Sequence, residues 1–158
     1  MKAIIKKRKK LELPAKPDFS MYSDEDLIEA SYEYIDRVLS SYKNETIALK
    51  KMDIELKYML YTSFLFDNIT DEGFEQAYVY WRDEMSLILQ GLLNMKLHLH
   101  AKKMMEAYQK AYKNHDEVIN SYLEDQELHL FDDINSYYRE TQESLKQAYV
   151  SYARKYFC

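Results

Sequence analysis

Glycine is almost missing from this chain, with two copies, Gly73 and Gly91, in 158 residues. Hairpins and phosphate-cradling loops need glycine where φ turns positive. A doubly wound fold or a P-loop therefore has little to be built from, and neither G-x-G-x-x-G nor G-x-x-x-x-G-K-[ST] occurs. Proline is equally scarce. Pro14 and Pro17 both lie near the N-terminus, so no ring interrupts a helix beyond residue 17. The one cysteine, Cys158, has no partner for an internal disulfide and does not sit in a C-a-a-X box. Long apolar runs are lacking too. Met59 to Phe66 is broken by Thr62 and Ser63, and Ala3–Ile5 is too short for a signal-peptide core. These absences predict a cytoplasmic protein without a membrane span.

What is present is apolar and aromatic. Hydrophobic residues make up 47% and aromatics 15%, with 16 tyrosines against 6 phenylalanines and 1 tryptophan. Tyrosine buries a ring and keeps a hydroxyl at the edge, which suits a core with many half-buried positions. The apolar residues recur at helical spacing. A first helix starts at the Ser23 cap and buries Leu27, Ile28, Ile35, Val38, Leu39 and Tyr42. A second follows Asn44, carries Met52, Leu56, Met59, Leu60 and Ser63 on one face, and ends near Asp67-Asn68. A short third begins at Thr70 or Asp71 and includes Trp81.

A fourth helix covers Asp83 to about Lys96, with Met85, Ile88, Leu89, Leu92 and Leu93 inward. A fifth holds Ala101, Met104, Met105, Tyr108 and Tyr112. A sixth spans His115 to Asp125, with Val118, Ile119 and Tyr122 inward. The last carries Phe131, Ile134, Tyr138, Leu145, Tyr149, Tyr152 and Tyr156. The expectation is all-α: a single compact domain of about six to seven helices over residues 21–158, behind a mobile basic arm at 1–20.

Charge is unevenly placed. Residues 1–17 take seven of the 22 basic residues and one of the 27 acids, so the remainder carries −11. A body of that charge repels nucleic acid and attracts basic protein surfaces. The run Lys6 to Lys10 reads as a solvated tail.

No catalytic or metal constellation emerges. His98 and His100 are two apart and diverge on a helix. No Glu stands three positions before His98, His100, His115 or His129, H-E-x-x-H is absent, and G-x-S-x-G is absent. Cys158 has no base held against it. The chain is expected to be no enzyme and to need neither cofactor nor metal.

The acids remain. Between residues 116 and 143 stand Asp116, Glu117, Glu124, Asp125, Glu127, Asp132, Asp133, Glu140 and Glu143, against Arg139 alone. On a continuous last helix Asp132, Ser136, Arg139 and Glu143 form one row, and Asp133, Tyr137, Glu140 and Ser144 the next. Carboxylates one turn apart lie roughly 6 Å from each other, a spacing that a phosphate-binding surface accepts.

The segment Ile69 to Tyr78 resembles the signature of the bacterial DNA-mimic protein (DMP-type) domain family. In that motif an apolar residue precedes Asn-Asn-Gly-Gly-Phe-x-Gln and two aromatics. Gly73, Phe74, Gln76 and Tyr78 match, while Thr70, Asp71, Glu72 and Ala77 depart. Leu27-Ile28, Met59 to Phe66 and the tail from Phe131-Asp132-Asp133 to Tyr149-Val150 are similar in placement, so the resemblance covers about residues 23–156. It implies that the motif serves the fold, with Gly73 permitting close packing and Phe74 anchoring the short helix. It also implies an acidic helical protein that presents carboxylates in place of DNA phosphates to a DNA-binding regulator.

The first expectation is thus a bacterial or phage DNA mimic that occupies the basic surface of a DNA- or RNA-binding protein, whether a transcriptional regulator or a defence nuclease. Its contacts would be the acids of 116–143, then Asp71, Glu72 and Glu75. The alternative is an inhibitor or immunity-type module acting through shape, with exposed tyrosines and Trp81 as anchors. A third reading gives direct nucleic-acid binding to Lys6–Lys10 and none to the folded body. A homodimer is compatible with exposed aromatics, but no feature counts subunits.

Overall fold

The computed structural model describes residues 13–158 and is all-helical over that range. Nine α-helices follow in order among the described residues: α1 Asp24–Ser40, α2 Glu45–Lys51, α3 Ile54–Asp71, α4 Phe74–Trp81, α5 Met85–Asn94, α6 His98–Lys113, α7 His115–Leu123, α8 Asp132–Glu140 and α9 Gln142–Phe157. Short 3-10 turns at Arg82–Glu84 and His129–Phe131 lead into α5 and α8. The basic run Lys6–Lys10 and the rest of residues 1–12, expected as a mobile arm, lie outside the described residues.

Two of the expected starts rest on side-chain caps. The Ser23 hydroxyl accepts the Asp26 N–H at 3.1 Å, and Asn44 Oδ1 accepts the Ile47 N–H at 2.9 Å. Each satisfies a donor that the first helical turn leaves unpaired. Asp24, Glu25 and Asp26 then place negative charge at the positive end of α1.

The count of six to seven is corrected because two expected helices are each divided. The second breaks at Met52–Asp53, where both residues turn extended with ψ near 140°. The last breaks at Thr141, whose hydroxyl bonds back to the Tyr137 carbonyl at 2.7 Å and also meets His100 Nε2 at 2.8 Å. This break removes Glu143 and Ser144 from the carboxylate rows expected on one continuous helix. The short helix also starts later than expected. α3 runs on to Asp71, and the Asn68 carbonyl accepts both the Glu72 and Gly73 N–H groups before α4 begins at Phe74.

The core gathers around α3, which packs against α5, α4, α8, α9 and α1. Leu56, Met59, Leu65 and Ile69 are fully covered, and the hydroxyls of buried Thr62 and Ser63 are satisfied by carbonyls one turn back. Gly91 lets α5 come close, since a Cβ there would stand 2.8 Å from Thr62 Cγ2. Leu93, Met105 and Tyr112, expected inward, are 39%, 41% and 69% exposed. The buried stripes of α5 and α6 are narrower than the apolar pattern, because Gly91, Ala101, Ala107 and Ala111 occupy the contact.

The packed body reaches back beyond residue 21. Phe19 is buried against Phe157, their ring centroids 4.7 Å apart, and the Tyr34 hydroxyl donates to the Pro14 carbonyl at 3.4 Å. Among the described residues no helix is long and apolar enough to cross a membrane.

Candidate functional site

A cleft of about 560 Å³ lies at the corner where α3, α4, α7 and α8 meet. The end of α3 supplies Glu72, and the start of α4 supplies Glu75 and Gln76. Ser121 and Tyr122 come from the last turn of α7, Asp125 to Leu128 from the loop after it, and Asp132, Asn135, Ser136 and Arg139 from α8.

Local backbone chemistry forms each wall. α7 stops because Asp125 adopts φ 51°, a left-handed conformation that a short polar side chain tolerates. The Gln126 N–H then closes on the Ser121 carbonyl at 2.8 Å, a Schellman-type end that turns Asp125 and Glu127 toward the cleft. On the opposite wall Gly73 stands at φ 94° and cannot cap α4 with a side chain. Asn135 on α8 does so instead, its Oδ1 accepting the Phe74 N–H at 2.8 Å. The Asn135 amide also stands beside the Glu75 carboxyl, both within 3.2 Å of where a Gly73 Cβ would be, and it favours the ionised carboxylate. One side chain thus holds the start of α4 and orients the acid beside it.

Glycine at position 73 therefore answers a backbone demand as well as a packing one. An added Cβ would meet Asn135 Nδ2 at 3.1 Å and Glu75 Oε2 at 3.2 Å on a conformation that L residues rarely adopt. Phe74 is fully buried and packs on Phe131, centroid to centroid 4.7 Å, at the start of α4. Tyr78, also buried, shares a 2.8 Å hydrogen bond with His115 Nδ1 at the start of α7.

Among the described residues five acids, Glu72, Glu75, Asp125, Glu127 and Asp132, thus line one space with a single permanent cation, Arg139. Arg139 Nε is directed at the Thr70 carbonyl at 3.4 Å, and Asp132 holds His129 Nδ1 at 3.0 Å. The crowding registers on Glu75. Its carboxyl is pushed above the usual range by burial and, less strongly, by Asp132 and Glu127, against the pull of its own N–H and Asn135. Gln76 Oε1, buried at the same cleft, has no hydrogen-bond partner among the described residues. The arrangement is complementary to positive charge and to hydrogen-bond donors. No group of three or more His, Cys, Asp or Glu side chains with metal-holding geometry occurs among the described residues.

The other predicted acids are dispersed. Asp116 and Glu117 occupy the exposed first turn of α7, where they favour the helix dipole. Glu124 and Glu140 are exposed near the ends of α7 and α8. Asp133 borders a shallow groove with Lys103 and Lys110, and Asp71 and Glu143 border a second cleft with Asp67. Trp81, expected as an exposed anchor, is half-buried and stacked on Phe64 at 4.5 Å and 9°. Sequence reasoning passed over Asn135. Its only signal was indirect: a helix opened by glycine must find its capping acceptor elsewhere.

Residues 50–156, about two thirds of the chain, match the family model described as DMP19-like protein. The match includes Gly73, Phe74, Gln76 and Tyr78 and leaves α1 outside. No curated protein and no solved structure matches.

Proposed function

The chain belongs to the DMP19-like protein family, a family of DNA mimics, and on that premise we propose that it is a non-enzymatic DNA mimic. In this reading it occupies the DNA-binding surface of a basic regulator or defence protein and competes with DNA there. The observation that carries the reading is the convergence of Glu72, Glu75, Asp125, Glu127 and Asp132 on one cleft. Scattered surface acids repel one another weakly and are common. Acids drawn together from separate elements repel one another, and burial with that repulsion raises the Glu75 carboxyl, a cost to folding that a partner's lysines and arginines would offset. Gln76 Oε1 adds an acceptor that still lacks a donor.

Retention of proteins from the host lysate, eluted by a salt gradient, tests the reading. The triple variant Glu72→Lys, Glu127→Lys, Asp132→Lys reverses the cleft, and Glu124→Lys, Glu140→Lys reverses acids outside it. The expected result is a DNA-binding protein that elutes early in salt, is released by DNA, and is retained by the second variant only. Equal retention by both variants would sink the assignment.

The inhibitor reading has one observation of its own. Tyr122 lines the same cleft, and its hydroxyl donates to that of the 56%-exposed Tyr80 at 2.9 Å, an aromatic pair at the cleft's edge. Salt-resistant retention by the cleft-reversed protein, abolished by Tyr80→Ala, would select it.

A further inference from the structure

A second cleft, of about 330 Å³, opens between α1, α3 and the start of α9. Its chemistry differs from that of the acidic corner. Tyr32, Phe66 and Tyr149 form an aromatic wall: Tyr149 meets Tyr32 edge-on at 5.7 Å and Phe66 edge-on at 6.4 Å. Ile28 and Leu145 complete the apolar part. Tyr149 is fixed in place, because the Ser31 hydroxyl donates to the Ile28 carbonyl and so accepts from the Tyr149 hydroxyl at 2.8 Å.

One side of the cleft is acidic. Asp67 and Asp71 stand one turn apart on α3, Glu143 faces them from α9, and neither aspartate enters an ion pair among the described residues. The one basic side chain in the lining among the described residues, Lys146, directs its ammonium to Glu25 at 3.0 Å. Burial and the Asp71 charge both hold the Asp67 carboxyl above its usual range, and burial with the Asp67 charge pushes the Tyr32 hydroxyl to about 12. The Asp67 carboxylate stays exposed at the edge of the cleft, and the half-buried Tyr32 ring stands beside it in the lining.

Aromatic faces beside an unpaired carboxylate are complementary to one kind of group, a cation carried on an apolar stem. We propose that this cleft is a recognition pocket for a single arginine or lysine side chain of a protein partner. The stem lies along Tyr32, Phe66 and Leu145, and the charged head is held by Asp67 and Asp71. The pocket adjoins the acidic corner across Thr70–Glu72, where Arg139 is directed at the Thr70 carbonyl, so a basic surface seated in one cleft can reach the other. The reading of the partner as a basic protein supplies the source of the side chain. The pocket's residues do not overlap the acids reversed above, so either assignment can fail alone.

The test is a titration of the full chain with the capped peptide acetyl-Gly-Arg-Gly-amide, followed by NMR of the aromatic side chains. The expected result is a set of shifts confined to Tyr32, Phe66 and Tyr149, absent with the citrulline analogue. Asp67→Asn, Asp71→Asn should weaken the dissociation constant about tenfold, and Tyr32→Leu should weaken it independently. Asp67 and Asp71 are exposed, so the first variant leaves the core intact. Phenethylammonium serves as the free-amine arm. Binding of it without the peptide would overturn the assignment to a protein side chain. Equal binding of arginine and citrulline peptides, or no shift at all, would overturn the pocket.

Discussion

His100 Nε2 lies 2.8 Å from Thr141 Oγ1, and Thr141 donates its own proton to the Tyr137 carbonyl at 2.7 Å. The ring nitrogen must therefore be the donor, which leaves Nδ1 unprotonated and facing the Tyr137 hydroxyl at 3.5 Å. A neutral, single-tautomer imidazole, 5% exposed, joins α6 to the break between α8 and α9.

This relationship predicts an acid-labile joint. Burial lowers the His100 pKa below its ordinary 6.5. The unfolded chain then binds the proton more readily, so this contribution is complete above pH 6.5 and is lost as pH falls toward the folded value. Denaturant midpoints at pH 7.5 and 5.5 should show the loss. His100→Gln should cost about 1 kcal/mol at pH 7.5, and its gap from the parent should narrow at pH 5.5. A constant gap would show that His100 does not titrate with folding.

Glu75 has the opposite sign. Its raised pKa means that ionisation at neutral pH opposes folding, and stability returns as pH falls through the folded value. Glu75→Gln keeps an oxygen for the Asn135 amide and should stabilise the protein by about 0.5 kcal/mol at pH 7, with the gain shrinking as pH falls toward the ordinary 4.5. The same substitution should weaken partner retention. A more stable protein that binds less well is the signature of an acid kept for binding; thermal melts at pH 7 and pH 4.5 measure the first half.

Gly91→Ala should cost about 1–3 kcal/mol by overpacking, because the new methyl stands 2.8 Å from Thr62 Cγ2 and 3.3 Å from the Tyr58 carbonyl. Adding Thr62→Ser removes the nearer atom while keeping the hydroxyl, and should recover part of the loss. Urea unfolding of the single and double variants decides it, and no recovery would place the strain at the Tyr58 backbone instead.

Helix existence was legible wherever a local signal marked it. Ser23 and Asn44 announce their helices because a cap acts within three residues. The divisions at Met52–Asp53 and Thr141 carry no glycine or proline. The second is tied to His100, 41 residues away, and no local pattern shows that. The acidic site followed the same division. The density of acids from Asp116 to Glu143 was visible, and Glu72 and Glu75 stood out beside Gly73. Which of them converge depends on the left-handed Asp125 and on the packing of α4 against α7. Asp116, Glu117 and Glu140 look the same in sequence as Glu127 and Asp132, yet they lie outside the cleft.

The clasp between Phe19 and Phe157 has a practical corollary. It secures the end of α9, a helix of 16 residues whose opposite end begins at the mouth of the aromatic pocket. Cys158, the chain's lone thiol, is exposed just past that clasp, roughly 24 Å of helix from Gln142. A fluorophore or surface linker attached to this sulfur would sit on a rigid stalk remote from Gln142, giving a ready-made handle for single-molecule or biosensor measurements without any engineered site.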